Sequence, residues 1–62
     1  MTPTQQLASI RLGRPVMDWI AEQRQAGVGW DKLAQNLEAL TGILISREAP
    51  RRWWKDAQKD AA

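Results

Sequence analysis

The sequence predicts a small all-α domain, a bundle of three or four helices. Glycine and proline divide the 62 residues into four short segments, and the apolar residues inside the segments recur at helical spacing. Repeated Leu and Ala in the third segment favour helix over strand. No linker rich in Pro, Gly or Ser interrupts residues 1–62, so we expect a single domain whose neighbouring helices pack directly.

The first helix is predicted over residues 3–12. Thr2 as N-cap, Pro3 in the first turn and Gln5 as the capping-box partner mark its start, and Gly13 marks its end. Its apolar positions form a short stripe: Leu7, Ile10 and Leu12. The sequence leaves open whether this stripe belongs to the core.

The second and third helices carry most of the apolar periodicity. Pro15 begins a helix over residues 15–26 that ends at Gly27, and a third helix is expected over residues 30–40. The inward face predicted for the second helix is Val16, Trp19, Ile20 and Ala26. That of the third falls at positions i, i+3, i+4, i+7 and i+10, which are Trp30, Leu33, Ala34, Leu37 and Leu40.

A fourth helix is predicted over residues 46–58. Residues 41–42 end the third helix, the apolar connector 43–45 packs under the fourth, and Ser46 caps it. Counted from that cap, Pro50 occupies the fourth helical position, where it removes only the first backbone bond. The expected inward stripe is Ala49, Pro50, Trp53 and Ala57.

The composition excludes several classes of site. The chain has no Cys and no His, so it has no zinc finger, no thiol nucleophile, no imidazole base and no disulfide. We therefore expect no enzyme activity, no metal, no cofactor and no small-molecule substrate. No segment approaches the roughly 18 apolar residues of a membrane span, and residues 1–9 lack the features of a signal peptide. These features predict a cytoplasmic protein without a membrane partner.

The net charge of +2 is located entirely in the last part of the chain. Residues 1–45 carry four basic and four acidic side chains, whereas residues 46–62 carry five basic and three acidic ones. Such asymmetry indicates an anionic partner that meets one element, here the fourth helix. The simpler interpretation is a basic helix face that contacts only water.

Residues 30–58 have the organisation of a helix-turn-helix. An amphipathic helix, a brief apolar turn and a capped helix follow one another, and the last carries basic side chains on its outer surface. At about 100° per residue, one exposed row holds Arg47, Arg51 and Lys55, and an adjacent row holds Glu48 and Arg52. Two such rows match the way in which a recognition helix reads base edges in a major groove.

Residues 40–53 also resemble a signature of known helix-turn-helix modules, TG-x-x-(V/I)-S-x-x-T-V-R-R-W. The matching residues are Thr41, Gly42, Ile45, Ser46, Arg51, Arg52 and Trp53, and the departures are Ala49 for Thr and Pro50 for Val. The signature belongs to small phage and bacterial regulators and to some transposases. The resemblance implies sequence-specific binding of double-stranded DNA and a function in transcription regulation, for example as a repressor.

The resemblance also implies roles for individual residues of the last helix. Ser46 and Arg47 would meet the DNA first, because a helix N-terminus favours a phosphate. Arg47 and Arg51 would contact base edges, since Arg is suited to bidentate bonding with guanine. Arg52 and Lys55 would bind phosphates.

Two further positions have competing interpretations. Glu48 either accepts from a cytosine amino group or forms an ion pair with Arg52 four residues on, and we favour the ion pair. Trp54 follows Trp53, which we expect in the core, so both side chains cannot point inward. Trp54 then lies over the edge of the core, packs on the stem of a basic side chain, or contacts a second protomer.

Two functions are compatible with these patterns. In the first, the chain binds DNA, and because one recognition helix buries little DNA surface, useful affinity requires a homodimer or a fused second module. In the second, the chain is a protein-binding module that docks on a partner protein and modulates it. A steep loss of DNA binding with rising salt distinguishes the first from the second.

Overall fold

The computed structural model describes residues 2–60, and this part of the chain consists of four α-helices. They are α1 (Pro3–Leu12), α2 (Val16–Gln25), α3 (Trp30–Thr41) and α4 (Ala49–Asp60). The same residues contain no β-strand. The predicted all-α fold class is therefore confirmed.

α1 begins and ends where the sequence predicts. The Thr2 hydroxyl accepts from the backbone N–H of Gln5 (3.1 Å), and the Gln5 side-chain carbonyl accepts from the backbone N–H of Thr2 (2.9 Å). These two bonds complete the capping box, and Pro3 needs no N–H in the first turn. Gly13 ends the helix with a φ of 76°, a left-handed conformation that glycine adopts without strain.

Only one residue of the apolar stripe of α1 packs against the core. Leu12 does so, whereas Leu7 is exposed and Ile10 keeps 75% of its surface in solvent. The residues that α1 buries instead are Gln5 and Ala8. The helix therefore faces the bundle through a small side chain and an amide, not through its largest apolar residues.

Two polar contacts to the start of α2 set this orientation of α1. The Gln5 side-chain amide donates to Met17 Sδ (3.6 Å), and the Ser9 hydroxyl accepts from the backbone N–H of Val16 (2.9 Å). The second contact supplies an acceptor for an N–H that the first turn of α2 leaves without a partner in its own helix. Since Ala8 is completely buried between these two contacts, its small side chain allows α1 to approach its neighbours closely.

The buried faces of α2 and α3 follow the predicted periodicity with two exceptions. The confirmed positions are Val16, Trp19, Ile20, Leu33, Ala34 and Leu37, and Trp30 is half-buried. Ala26 follows the end of α2 and is exposed, and Leu40 is 60% exposed. Thr41 is the buried residue in the last turn of α3, because it lies four positions after Leu37 and so shares its face.

α4 begins at Ala49, three residues later than the sequence predicts. A helix capped by Ser46 needs its first backbone bond from residue 50 to the Ser46 carbonyl, but Pro50 has no N–H. The Ser46 carbonyl accepts from the N–H of Ala49 instead (3.2 Å), and the first helical bond runs from Arg52 to the carbonyl of Glu48 (2.9 Å). Pro50 is therefore the second residue of α4, where a helix needs no N–H.

The inward stripe of α4 is shorter than predicted. Pro50 and Trp53 are buried and Ala49 is half-buried, but Ala57 is exposed. Ala57 borders open hollows that Met17 also lines, because a methyl group is too short to fill the space between them.

The connector of residues 42–48 alternates between the core and solvent. Ile45 is buried and Ile43 packs against the core, while Leu44 between them is 87% exposed. Successive side chains of an extended chain point to opposite sides. The expectation that all of residues 43–45 pack under α4 is therefore wrong for Leu44.

α1 and α4 each pack against both α2 and α3. The buried cluster between the helices is Ala8, Val16, Trp19, Ile20, Leu33, Leu37, Ile45 and Trp53. Because every helix and the connector contribute to this cluster, the position of α4 depends on the whole bundle. Within residues 2–60, no helix has the length and apolar character needed to cross a lipid bilayer.

We predict that Leu37→Ala destabilises the fold far more than Leu40→Ala, although the two residues are one helical turn apart. Leu37 is completely buried, so its truncation should lower the free energy of unfolding by about 2–5 kcal/mol. That is a large part of the roughly 3–9 kcal/mol expected for a domain of this size. Leu40→Ala should cost less than about 0.5 kcal/mol. Urea unfolding followed by Trp fluorescence measures both, and equal losses would contradict the assigned face of α3.

Candidate nucleic-acid interface

α4 buries Trp53 on one side and presents charged side chains on the other. The exposed charged residues near its start are Glu48, Arg51, Arg52 and Lys55. These four line one shallow depression of about 260 Å³ on the outer surface. The structure thus brings together four of the six residues that the sequence predicts as DNA contacts.

The other two predicted contacts, Ser46 and Arg47, lie in the connector before α4, as Glu48 also does. Arg47 therefore does not share a helical row with Arg51 and Lys55, as the sequence predicts. Its guanidinium Nη1 lies 4.0 Å from Oδ2 of Asp31, in the first turn of α3. The Ser46 carbonyl accepts from the backbone N–H of Ala49 at the start of α4. The exposed Ser46 hydroxyl makes no hydrogen bond within the described residues.

The predicted ion pair between Glu48 and Arg52 is not formed. Among the side chains of residues 2–59, the ion pairs are Arg14–Glu22 and Arg47–Asp31. Glu48 and Arg52 are joined only through the backbone hydrogen bond at the start of α4. Both side chains are therefore available to a ligand, and contact of Glu48 with a cytosine amino group stays a prediction.

Two basic side chains outside α4, Arg14 and Arg24, make contacts within the domain. Arg14 donates to Glu22 (2.7 Å between Nη1 and Oε2), and this bond holds the pKa of the Glu22 carboxyl below its usual range and raises the pKa of Arg14. The Arg24 guanidinium lies 4.5 Å from the ring centroid of Trp30 and donates to the carbonyl of Val28 (2.9 Å). These contacts hold both guanidinium groups against their own domain.

The cations of the depression on α4 differ from Arg14 and Arg24. Within residues 2–59, no carboxylate lies within ion-pairing distance of Arg51, Arg52 or Lys55. Their charges are therefore not neutralised by a neighbour and point into solvent from a helix whose opposite face is fixed by Trp53. This arrangement suits a polyanionic ligand, because no internal ion pair has to be broken on binding.

Trp54 lies over the edge of the core, which is the first of the three positions expected for it. It is half-buried and packs edge-to-face on Trp30, with ring centroids 6.3 Å apart and planes at 61°. Beside it, an apolar hollow of about 220 Å³ is lined by Met17, Trp54, Ala57 and Gln58. A protein contact at Trp54 stays a prediction, and this hollow is where it would form.

The Thr-Gly pair of the signature has a structural role at the end of α3. The buried Thr41 hydroxyl donates to the carbonyl of Leu37 (2.7 Å) and accepts from the backbone N–H of Ile43 (3.3 Å). Gly42 follows with a φ of 71°, which reverses the chain. The two residues thereby direct the connector back toward the core, where Ile45 is buried. A Thr in the last turn of a helix can bond to the carbonyl four residues earlier, and that sequence signal predicts the first of these bonds.

We predict that Thr41→Val lowers the free energy of unfolding by about 1–2 kcal/mol, because the Ile43 N–H loses its acceptor. Amide hydrogen exchange should then be faster at Ile43. Thr41→Ser keeps the hydroxyl and should keep that amide protected, although it loses a buried methyl group. Unchanged exchange at Ile43 in the Val variant would show that the hydroxyl does not hold the connector.

The described residues contain no group of three or more side chains that could hold a metal ion. Comparison of the chain with protein-family models, with curated proteins and with solved structures found no match.

Proposed function

We propose that the protein binds double-stranded DNA through the outer face of α4 and thereby regulates transcription. The observation that supports this proposal is the cluster of unpaired cations, Arg51, Arg52 and Lys55, on the exposed face of a helix whose other face is fixed in the core. Such a helix presents positive charge without having to reorganise. The proposal is one of binding and not of catalysis, and it needs no cofactor. It would place the protein in the cytoplasm, with the DNA of a bacterial or phage-infected cell.

The dimensions of α4 suit the major groove. A helix with its side chains is about 10–12 Å in diameter, which fits a groove about 12 Å wide, and the 12 residues of α4 span about 18 Å along it. Arg51 and Arg52 project about 100° apart, so one can reach base edges while the other meets the phosphates at the groove wall. We assign Arg51 to a base edge, and Arg52 and Lys55 to phosphates.

A single α4 contacts few base pairs, and this limits the affinity of one copy. Modules of this size bury little DNA surface, and tight specific binding by them depends on a second module. We therefore propose that the functional unit is a homodimer or a longer protein that contains this domain.

A second function, docking on a partner protein, is favoured by a different observation. The hollow beside Trp54 has a wholly apolar lining and lies on the flank of α4, next to the half-buried pair Trp30 and Trp54. A partly exposed Trp beside such a hollow is a frequent anchor of protein interfaces. A module of this kind would bind its partner with little dependence on salt, because the contact is apolar.

We predict that Lys55→Ala weakens DNA binding at all sequences and makes the plot of log K against log salt less steep by about 0.9, since one phosphate contact is lost. Arg51→Ala should instead lower the affinity for a preferred sequence by about 1–3 kcal/mol and relax the base preference at one position. Fluorescence anisotropy with labelled duplexes over a range of salt concentrations measures both effects.

Arg11→Ala is the matched control for these two variants. Arg11 is an exposed cation on α1, so its removal changes the net charge equally without touching α4. It should leave the salt dependence and the base preference unchanged. Equal effects of all three variants would mean that only net charge matters, and no DNA binding by the wild type at low salt would favour the docking function.

A further inference from the structure

Arg47 lies in a turn and not in a helix. Because α4 begins at Ala49, the Arg47 side chain projects from a turn, and no helical register fixes its direction. The carboxylate of Asp31, 4.0 Å away, is the acidic group within ion-pairing distance among the described side chains. The backbone of Asp31 is fixed, since it belongs to the first turn of α3, which is anchored in the core by Leu33, Ala34 and Leu37.

The pair contributes little to stability. Its two side chains are 69% and 73% exposed, and pairs of that kind in water are worth little. Asp31 does favour the N-terminus of α3 through the helix dipole, but any acidic residue in the first turn does so, as Asp18 does in α2. Neither effect explains why this carboxylate lies beside Arg47, whose neighbour in the chain, Glu48, lines the proposed DNA surface.

We propose that Asp31 is a positioning residue that holds the Arg47 guanidinium for a guanine in the major groove. The inference rests on the proposed function. A guanidinium has five N–H donors in a planar fork. Asp31 lies near Nη1 as an ion-pair partner at 4.0 Å, and Nε and Nη2 stay open to N7 and O6 of guanine, the pair of acceptors that Arg reads best.

The carboxylate of Asp31 would act in two ways when DNA binds. When a duplex covers the pair and excludes water, the effective dielectric constant falls and the attraction between Asp31 and Arg47 increases. The same carboxylate repels phosphates, which disfavours complexes in which Arg47 meets the DNA backbone and not a base. Asp31 thus lowers the affinity for DNA in general while raising the preference for one base.

The test is selection of duplexes from a random pool, followed by anisotropy titrations with the selected duplex and with a random one. For Asp31→Asn we expect unchanged or tighter binding of the random duplex, and a loss of about tenfold in the preference for one guanine. Arg47→Ala should lose the same preference. Because Asp31 affects the base preference through Arg47, the double variant should have the same base preference as Arg47→Ala.

Asp18→Asn is the matched control, since Asp18 is also exposed and lies in the first turn of its helix. It removes the same charge and the same dipole interaction, and it should leave the base preference intact. Urea unfolding checks that both Asn variants are equally folded.

Three results would overturn the inference while the wild type still binds DNA. The first is a guanine preference retained in Asp31→Asn. The second is a selected sequence in which no guanine depends on Arg47. The third is an effect of Asp31→Asn on base preference that persists in the Arg47→Ala background. If the wild type fails to bind any duplex, the proposed function fails with it. The Lys55 and Arg51 variants, which do not involve Asp31, tell these cases apart.

Discussion

Pro50 has no backbone N–H, and the place where α4 begins depends on that missing donor. With an N–H at this position, the Ser46 carbonyl could accept the first helical bond and α4 would include Arg47. Without it, the Ser46 carbonyl accepts from Ala49, and the helix proper starts one turn later. Arg47 then stays in the connector and reaches Asp31, while the buried proline ring adds to the packing of α4. One absent donor therefore divides the predicted contacts into a helical group and a connector group.

A core this small can bury few polar groups without hydrogen-bond partners. The chain fills it with tryptophan for bulk and with alanine where helices approach closely. It has four Trp and neither Phe nor Tyr, so Trp19 and Trp53 supply the bulk of the buried aromatic surface. Ala8 is buried where helices approach closely. The described residues leave no buried side-chain nitrogen or oxygen without a hydrogen-bond partner. Because this core fixes α4 through Trp53, the outer face of the helix is free to carry charges that contribute nothing to folding.

The sequence predicts most of what local chemistry decides, with the start of α4 and the Glu48–Arg52 pair as exceptions, and it fails where a distant contact decides. The capping box of Thr2 and the glycine stop at Gly13 depend on neighbours within a few residues, and both are present as predicted. The inward face of α1 depends on contacts of Gln5 and Ser9 with α2, which no periodicity within α1 reveals. The site divides in the same way. Arg51 and its neighbours follow from helical spacing, whereas the approach of Arg47 to Asp31, sixteen positions earlier, depends on how the connector returns across the bundle.

The small number of unpaired cations constrains how such a domain can select DNA. If Arg52 and Lys55 met phosphates, the slope of log K against log salt would be about −1.8, and a fourfold rise in salt would weaken binding by roughly 12-fold. Proteins with more phosphate contacts lose far more, because charge supplies most of their affinity. With so little charge to use, preference for a sequence has to come from directed contacts. The carboxylate beside Arg47 costs general affinity, and it is compatible with a DNA-binding role only if the orientation that it imposes is worth more in discrimination than the repulsion costs in binding.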